Sequence, residues 1–429
     1  MKIIDLLRDY FPGKKILESM DITDICMDSR EIKKGSLFFA IKGGNKHVEE
    51  AIKKGAALAV YDSKNLLISD ERAIFTEDTV SFMQKLARDY RKSNGIKVVA
   101  ITGSNGKTTT KDMVYSVLSQ RFRTQKTQGN HNNHIGLPYT ILKAQPEDEV
   151  MVLEMGMSGF GEIDLLCTIA LPDYGIITNI GESHLEYLQN KENVFKAKGE
   201  LLKYVDNQNT IIFGDDHYLK NVPGIKVGYG DENTFKISEF IESDKGAEFK
   251  LGGKTYRIPV NGEHNVINAS FAVALGLKMG LAVSEIEKGL EELELTPMRF
   301  QKIEKGKNLY INDAYNANPT SMKLAIETFD KLYNDRSCKI MVLGDMLELG
   351  EKSEEYHKGI KDYLDKSKAE YIFLYGNEME KLWSLCQEDE RVYYFKDKNL
   401  ISEKIESMEE KSIILLKGSR GMKLEEIIK

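Results

Sequence analysis

The chain is 429 residues long, more than one hydrophobic core usually organises, so two or three domains are expected. With 41% hydrophobic and 30% charged residues and no long apolar run, the composition excludes a disordered chain and a membrane-spanning one. A formal net charge of -7 argues against broad nucleic-acid binding, while leaving room for a local basic pocket that holds a phosphate.

Met1 to Tyr10 mixes Lys2, Asp5, Arg8 and Asp9 among its apolar residues, unlike the apolar segment of a signal peptide, so a cytoplasmic location is expected. Cys26, Cys167, Cys338 and Cys386 are far apart and form no CxxC pair, which points to scattered buried thiols. Up to about residue 95, short β-like runs (Ser36 to Ile41, Leu58 to Tyr61, Ala73 to Phe75) alternate with helical patterns such as Phe82 to Lys92. This predicts a small α/β domain over residues 1–95. Ser93-Asn94-Gly95 breaks the pattern, and Lys97 to Ile101 opens an apolar strand that runs into a glycine-rich turn. Further apolar runs at Val150 to Met155, Gly175 to Thr178 and Thr210 to Phe213 favour a mostly parallel, helix-covered sheet for residues 96–297. Past Thr296-Pro297, runs at Leu309 to Ile311, Lys339 to Leu343, Tyr371 to Tyr375 and Ser412 to Leu416 predict a second doubly wound unit over 298–429. The expected fold is therefore α/β in three domains, with no internal repeat.

Six segments carry candidate chemistry. Thr102-Gly103-Ser104-Asn105-Gly106-Lys107-Thr108-Thr109-Thr110 lies between a strand and a helical pattern and reads as a phosphate-binding loop. Glycines let backbone N–H groups close on phosphate oxygens, Lys107 neutralises their charge, and the Thr108 hydroxyl is suited to Mg²⁺. The spacing departs from the commonest pattern, because Ile101 stands where the first glycine would be. Glu154, at the end of an apolar strand, is placed to hold a hard cation, although a lone strand-end glutamate is more often solvated or hydrogen-bonded. His184 follows another strand and reads as a metal ligand, a base or an ordinary loop histidine. Lys198, on a helical stretch, would by itself be a solvated lysine. Two asparagine-rich segments offer amide groups. Gly129 to Pro138 suits a polar substrate or a plain turn, and Gly262 to Ala269 opens a helix in which Asn265 suits an N-cap and Asn268 a base edge.

Taken together, these segments resemble the Mur ligases over nearly the whole chain. The resemblance is ordered: the loop from Thr102, Asn130 to Pro138, Glu154 to Gly159, Ala197 to Glu200, Met298-Arg299-Phe300, Asn312 to Pro319, Leu343 to Gly350 and Lys417 to Gly421. It implies a first domain for a UDP-sugar, a central ATPase domain, and a Rossmann-like third domain that receives an incoming amine. The implied reaction is ATP-dependent, ADP-forming ligation of D-alanyl-D-alanine to a UDP-N-acetylmuramoyl tripeptide in peptidoglycan precursor synthesis, with ATP and Mg²⁺ required. By matched motif, Gly103 to Thr109 would hold ATP phosphates, with Lys107 and Thr108 serving the γ-phosphate and Mg²⁺. Glu154, His184 and a carbamylated Lys198 would hold a second Mg²⁺. Asn268 would contact adenine, with Arg299 and Asp313 reaching the nucleotide from the hinge and third domain. Ser29 and Arg30 would meet the uridine side, and His47, Asn130, Asn133 and Asn316 the rest of the substrates. Relatives typically read Asp-Gly-His where this chain reads Asn45-Lys46-His47. A monomer acting on small molecules, without nucleic acid or membrane span, is expected. The rival readings are a sibling amide ligase, such as another Mur enzyme or a folylpolyglutamate synthase, and a P-loop kinase or regulatory NTPase.

Overall fold

The computed structural model describes residues 1–243, 245–332 and 338–428, and among these the strands gather into three sheets. The first is fully parallel, in the order β1 (Asp24–Cys26), β2 (Ser36–Phe39), β3 (Leu58–Tyr61), β4 (Ala73–Phe75).

The central sheet holds β5 (Lys97–Thr102), β6 (Thr124–Lys126), β7 (Val150–Glu154), β8 (Tyr174–Ile177), β9 (Thr210–Phe213), β10 (Ile225–Gly228), β11 (Phe235–Ser243), β12 (Gly246–Leu251) and β13 (Lys254–Ile258). Its order is β13-β12-β11-β10-β9-β8-β5-β7-β6. β5 is buried from Val98 onward and has parallel neighbours on both sides, as its unbroken apolar run requires. The expectation of a mostly parallel sheet needs one addition. β11, β12 and β13 form an antiparallel meander on the outer edge, where half-buried or exposed polar residues alternate with buried apolar ones along β12 and β13.

The last sheet holds β14 (Gln301–Lys305), β15 (Asn308–Asn312), β16 (Cys338–Gly344), β17 (Tyr371–Tyr375), β18 (Val392–Phe395) and β19 (Ser412–Lys417), in the order β14-β15-β19-β16-β17-β18. Only the hairpin β14/β15 is antiparallel.

The helix Thr79–Asn94 bridges the first two sheets. Asp78 caps its start by accepting from the Ser81 N–H at 2.5 Å, and Gly95 in the left-handed region ends it. Its buried face, Met83, Leu86, Ala87 and Tyr90, joins one hydrophobic cluster that runs from Ile3 through the first sheet to Leu201 and Leu219. The Tyr90 hydroxyl donates to the Ala144 carbonyl, and Arg91 donates to the carbonyls of Ala170 and Leu171. The break read at Ser93-Asn94-Gly95 is therefore a helix end, and the hydrophobic packing continues across it.

Candidate nucleotide and ligation site

β5 has β8 on one side and β7 on the other, so the chain crosses over in opposite directions from it. Ligands in open α/β sheets bind in the crevice that such a reversal leaves at the carboxyl ends of the strands. Three of the predicted segments leave from these ends: the loop after Thr102, Glu154, and the stretch after Ile177.

The loop is built for close backbone approach. Gly103 and Gly106 have φ of +148° and +81°; a Cβ on the first would overlap Thr178 Oγ1, and one on the second would press on Asn268 Oδ1. Helix Lys107–Leu118 starts directly after, with its N–H groups facing the loop. Lys107 Nζ donates to the Gly103 carbonyl at 2.7 Å and to that of Ser104 at 3.4 Å, folding over the loop. Burial, together with nearby Arg299, lowers its pKa, and Glu154 opposes that shift. Ser104 Oγ is occupied by the Gly181 N–H and the Ser183 hydroxyl, both on the His184 loop.

Residues from the third unit complete the wall. Arg299 donates through Nη2 to Thr108 Oγ1 at 3.0 Å and lies over the Tyr315 ring, 4.2 Å from its centroid. Asp313 pairs with Lys417 at 2.7 Å and accepts from the Phe300 N–H. Asn318 and Thr320 reach Asn105 and Glu182 at 2.7 and 2.6 Å. The loop from Ser104 to Thr108 with Arg299, Asp313, Thr320 and Lys417 lines a cavity of about 260 Å³ that also touches Thr109, Asn179, His264, Asn265 and Asn268.

Several buried polar atoms around this cavity have no partner among the described residues: Thr102 Oγ1, Asn105 Nδ2, Glu154 Oε2, His264 Nδ1 and Arg299 Nε. Fully folded proteins leave few such groups, so a cluster of them marks surfaces kept for a ligand. His264 is held neutral by burial, its pKa pushed down to about 4.

The predicted metal residues gather beside the loop. Glu154 Oε1 accepts from Asn132 Nδ2 at 2.8 Å, leaving Oε2 free, and His184 Nδ1 lies 2.8 Å from Glu348 of the third unit. Lys198 is 1% exposed, so the solvated reading of its sequence fails. Among the described residues no carboxylate pairs with it, and burial plus Lys107 holds its pKa well below the lysine range. No trio of His, Cys, Asp or Glu converges as a ready metal cluster among the described residues.

Other expectations land differently. Asn265 is not the helix cap: Gly262 takes that place, and Asn265, inside the first turn, donates to the Asn261 carbonyl at 2.7 Å. Asn268 lines the cavity, but its Oδ1 already accepts from Thr110 Oγ1. In the loop after Gly129, Asn130 is exposed, and Asn133 Oδ1 accepts from the Ile135 and Gly136 N–H groups. Asn132, not singled out from sequence, reaches Glu154. Asn316 lines the cavity, with its Oδ1 turned onto the Ala317 N–H. Ser29, Arg30 and His47 sit on the first sheet's loops, outside this cavity. Arg30 pairs with Asp28 at 2.5 Å, His47 with Glu50 at 3.0 Å, and the Ser29 carbonyl accepts from Lys54. Asn45 donates to Asp62 at 2.8 Å.

Residues 101–276 match the Mur ligase middle domain, and residues 298–420 the Mur ligase, glutamate ligase domain. The chain is 40% identical over 428 residues to the UDP-N-acetylmuramoyl-tripeptide–D-alanyl-D-alanine ligase of Bacillus subtilis, covering 96% of this chain and 93% of that one. Its fold matches MurF from Acinetobacter baumannii with a TM-score of 0.85 at 30% identity, covering 95% and 93% of the two chains. It also matches the MurF ligase from Thermotoga maritima, solved in complex with ADP, with a TM-score of 0.82 at 27% identity, covering 94% and 96%. With a relative this similar along nearly the whole chain, and both catalytic units matched, the chain belongs to the Mur ligase family.

Proposed function

We propose that the chain joins D-alanyl-D-alanine to a UDP-N-acetylmuramoyl tripeptide, using ATP to activate the tripeptide's terminal carboxylate. The observation that carries this reading is the meeting of the phosphate loop with groups from the third unit: Arg299 on Thr108 in the cavity wall, and Asn318 on Asn105 beside it. A kinase or regulatory NTPase needs the loop and leaves Arg299, Asp313 and Asn318 without a task. An amide ligase needs both sides, because the phosphate donor and the attacking amine approach the carboxylate from different domains.

Joining a carboxylate to an amine in water is uphill, so the γ-phosphoryl group passes first to the carboxylate, giving an acyl phosphate and ADP. The dipeptide's amine then attacks the carbonyl carbon, and phosphate leaves from the tetrahedral intermediate as the amide forms and the amine loses a proton. Lys107 and Arg299 hold positive charge beside the transferring oxygens, where fixed charges in a dry site stabilise most. The loop's N–H groups and the start of helix Lys107–Leu118 bind the phosphates. The third unit, closed over the cavity through Asn318, Thr320 and Glu348, excludes water from the acyl phosphate.

The residues here fit Mg²⁺: Thr108 Oγ1 would hold it on the phosphate side, and the free Glu154 Oε2, with His184 and a modified Lys198, on the carboxylate side. When bound, Mg²⁺ supplies charge neutralisation at the phosphoryl oxygens. Magnesium prefers several oxygen ligands, and with no acidic trio at hand among the described residues a carbamate on Lys198 would provide two. A lysine held neutral by burial reacts with CO₂, losing one proton to form that carbamate, whereas an ammonium would repel the metal.

The test is phosphate release and product mass with ATP and UDP-muramoyl tripeptides carrying either lysine or diaminopimelate, offered D-alanyl-D-alanine or single amino acids. Turnover that needs both a tripeptide and the dipeptide is the expected result. Turnover with a single amino acid assigns a sibling ligase, and ATP hydrolysis indifferent to both overturns the ligase reading.

A further inference from the structure

Asn318 caps the helix Pro319–Leu332. Its Oδ1 accepts from the Ser321 N–H at 2.9 Å, while its own N–H donates to Ser321 Oγ at 3.0 Å, a reciprocal cap followed by proline at the first helical position. Its Nδ2 reaches out of the third unit to the phosphate loop, donating to Asn105 Oδ1 at 2.7 Å.

The direction of this chain of amides is dictated from one end. A backbone N–H only donates, so the Asn318 atom facing Ser321 must be oxygen. Its nitrogen then faces Asn105, which must answer with its own oxygen. What remains is Asn105 Nδ2, buried and without a partner. The backbone of Asn105 is pinned, its N–H to Asn179 Oδ1 at 3.0 Å and its carbonyl by the Thr178 hydroxyl and Asn179 Nδ2 at 2.6 and 3.0 Å. Only rotation of the side-chain amide is left open, and Asn318 sets it. Beside it, Thr320 donates to Glu182, which also pairs with Lys191 at 2.5 Å, fastening the same helix end to the central unit.

We infer that Asn318 is a positioning residue for phosphoryl transfer. By holding the Asn105 amide with its oxygen on Asn318 and its nitrogen turned away, it supplies the phosphate loop with one more donor for a phosphate oxygen, and does so only while the third unit is docked. Without it the amide turns freely, and in half of its orientations an oxygen would face the phosphate. The inference rests on the ligase reading above.

The test uses the full chain with ATP, the tripeptide substrate and D-alanyl-D-alanine, comparing wild type with Asn318→Ser and Asn318→Asp. Both replacements cap helices well, so a purely structural role leaves both near wild type. Serine is too short to reach Asn105. Aspartate reaches it but only accepts, so it draws Asn105 Nδ2 away and turns the oxygen toward the phosphate. The expected order of kcat is Asn, then Ser, then Asp, falling about 10-fold at each step, with the KM for ATP within about 3-fold and the melting temperature held. In an Asn105→Ala background, Asn318→Asp costs no further kcat, which separates loss through Asn105 from simple charge repulsion. An aspartate variant as active as wild type, or a loss that persists undiminished in that background, overturns the inference. Wild-type inactivity with these substrates instead overturns the ligase reading and the inference with it.

Discussion

Helix Lys107–Leu118 carries two groups of buried charge one turn apart, and they are finished differently. At its second turn, Asp112 accepts from Lys126 at 2.6 Å and from the Thr296 N–H at 2.8 Å, and Lys111 lies 3.4 Å from the same carboxylate and from the Thr296 hydroxyl. Lys111 and Asp112 are 1% and 0% exposed, and neither has a side-chain atom left without a partner. At the first turn, Lys107 shares a neighbourhood with the unpaired Lys198, and Glu154, Asn105 and Arg299 each keep an atom free. Burying charge is costly in both places. The protein offsets that cost with its own groups where the task is to hold the linker that brings Arg299 in. It leaves the charge open where a ligand brings the complement.

This contrast predicts opposite signatures for mutation. The largest effect is expected for Lys107→Ala, with ligation falling by ~1000-fold or more, because positive charge at the phosphoryl group is concentrated there. The melting temperature is expected to hold, since Lys107 Nζ makes its hydrogen bonds only within its own loop. Phosphate release and a thermal melt check both; near-normal turnover in the folded variant would break the comparison at its centre. Lys198→Ala is expected to cost on the order of 100-fold in turnover, with partial recovery when formate or acetate fills the vacated space. Full activity without added carboxylate would remove Lys198 from the metal side of the site.

Asp112→Ala reverses the pattern. It strands Lys111 and Lys126 without their anion and is expected to lower stability by about 3–5 kcal/mol, read by denaturant unfolding. Turnover per folded molecule should change far less than in Lys107→Ala. The smallest effect is a pH dependence from His264. Its folded pKa of about 4 lies below the unfolded value of about 6.5, so between them the unfolded chain binds the proton that the native site refuses. Stability is therefore lost as pH falls from 6.5 toward 4, and His264→Gln flattens that part of a melting-temperature profile. An unchanged slope would show that His264 is not the group that titrates there.

Much of the site was legible because its chemistry is local. Gly103, Gly106, Lys107 and Thr108 sit on consecutive turns of one loop and helix, and the apolar runs that became β5, β7 and β8 carried Glu154 and the His184 loop to the same rim. The parts that stayed hidden depend on contacts between distant segments. Nothing in Gly129 to Pro138 separates Asn132 from Asn130 and Asn133; only the fold of that loop turns Asn132 toward Glu154. Glu348, Asn318 and Lys417 lay within recognised segments without a role, since each acts on a partner in another stretch of chain. The β11–β13 meander escaped notice because weakly apolar, charge-rich alternation also fits a loop. Lys198 misleads for the same reason: lysine followed by glycine and glutamate looks solvated until the helix Lys191–Lys198 is packed.

The hydrophobic cluster shared by the first two sheets also imposes an order in time. Ile3, Leu7 and the helix Thr79–Asn94 share that cluster with Leu137, Ile163, Leu166 and Leu201, which lie roughly 40–110 residues beyond the helix. At a synthesis rate of about 5–20 residues per second, those segments emerge roughly 2–20 s after the helix they pack against. Apolar surface left uncovered in that interval favours association, so slowing translation between residues 95 and 200 is expected to raise aggregation of the nascent chain while leaving the finished fold unchanged.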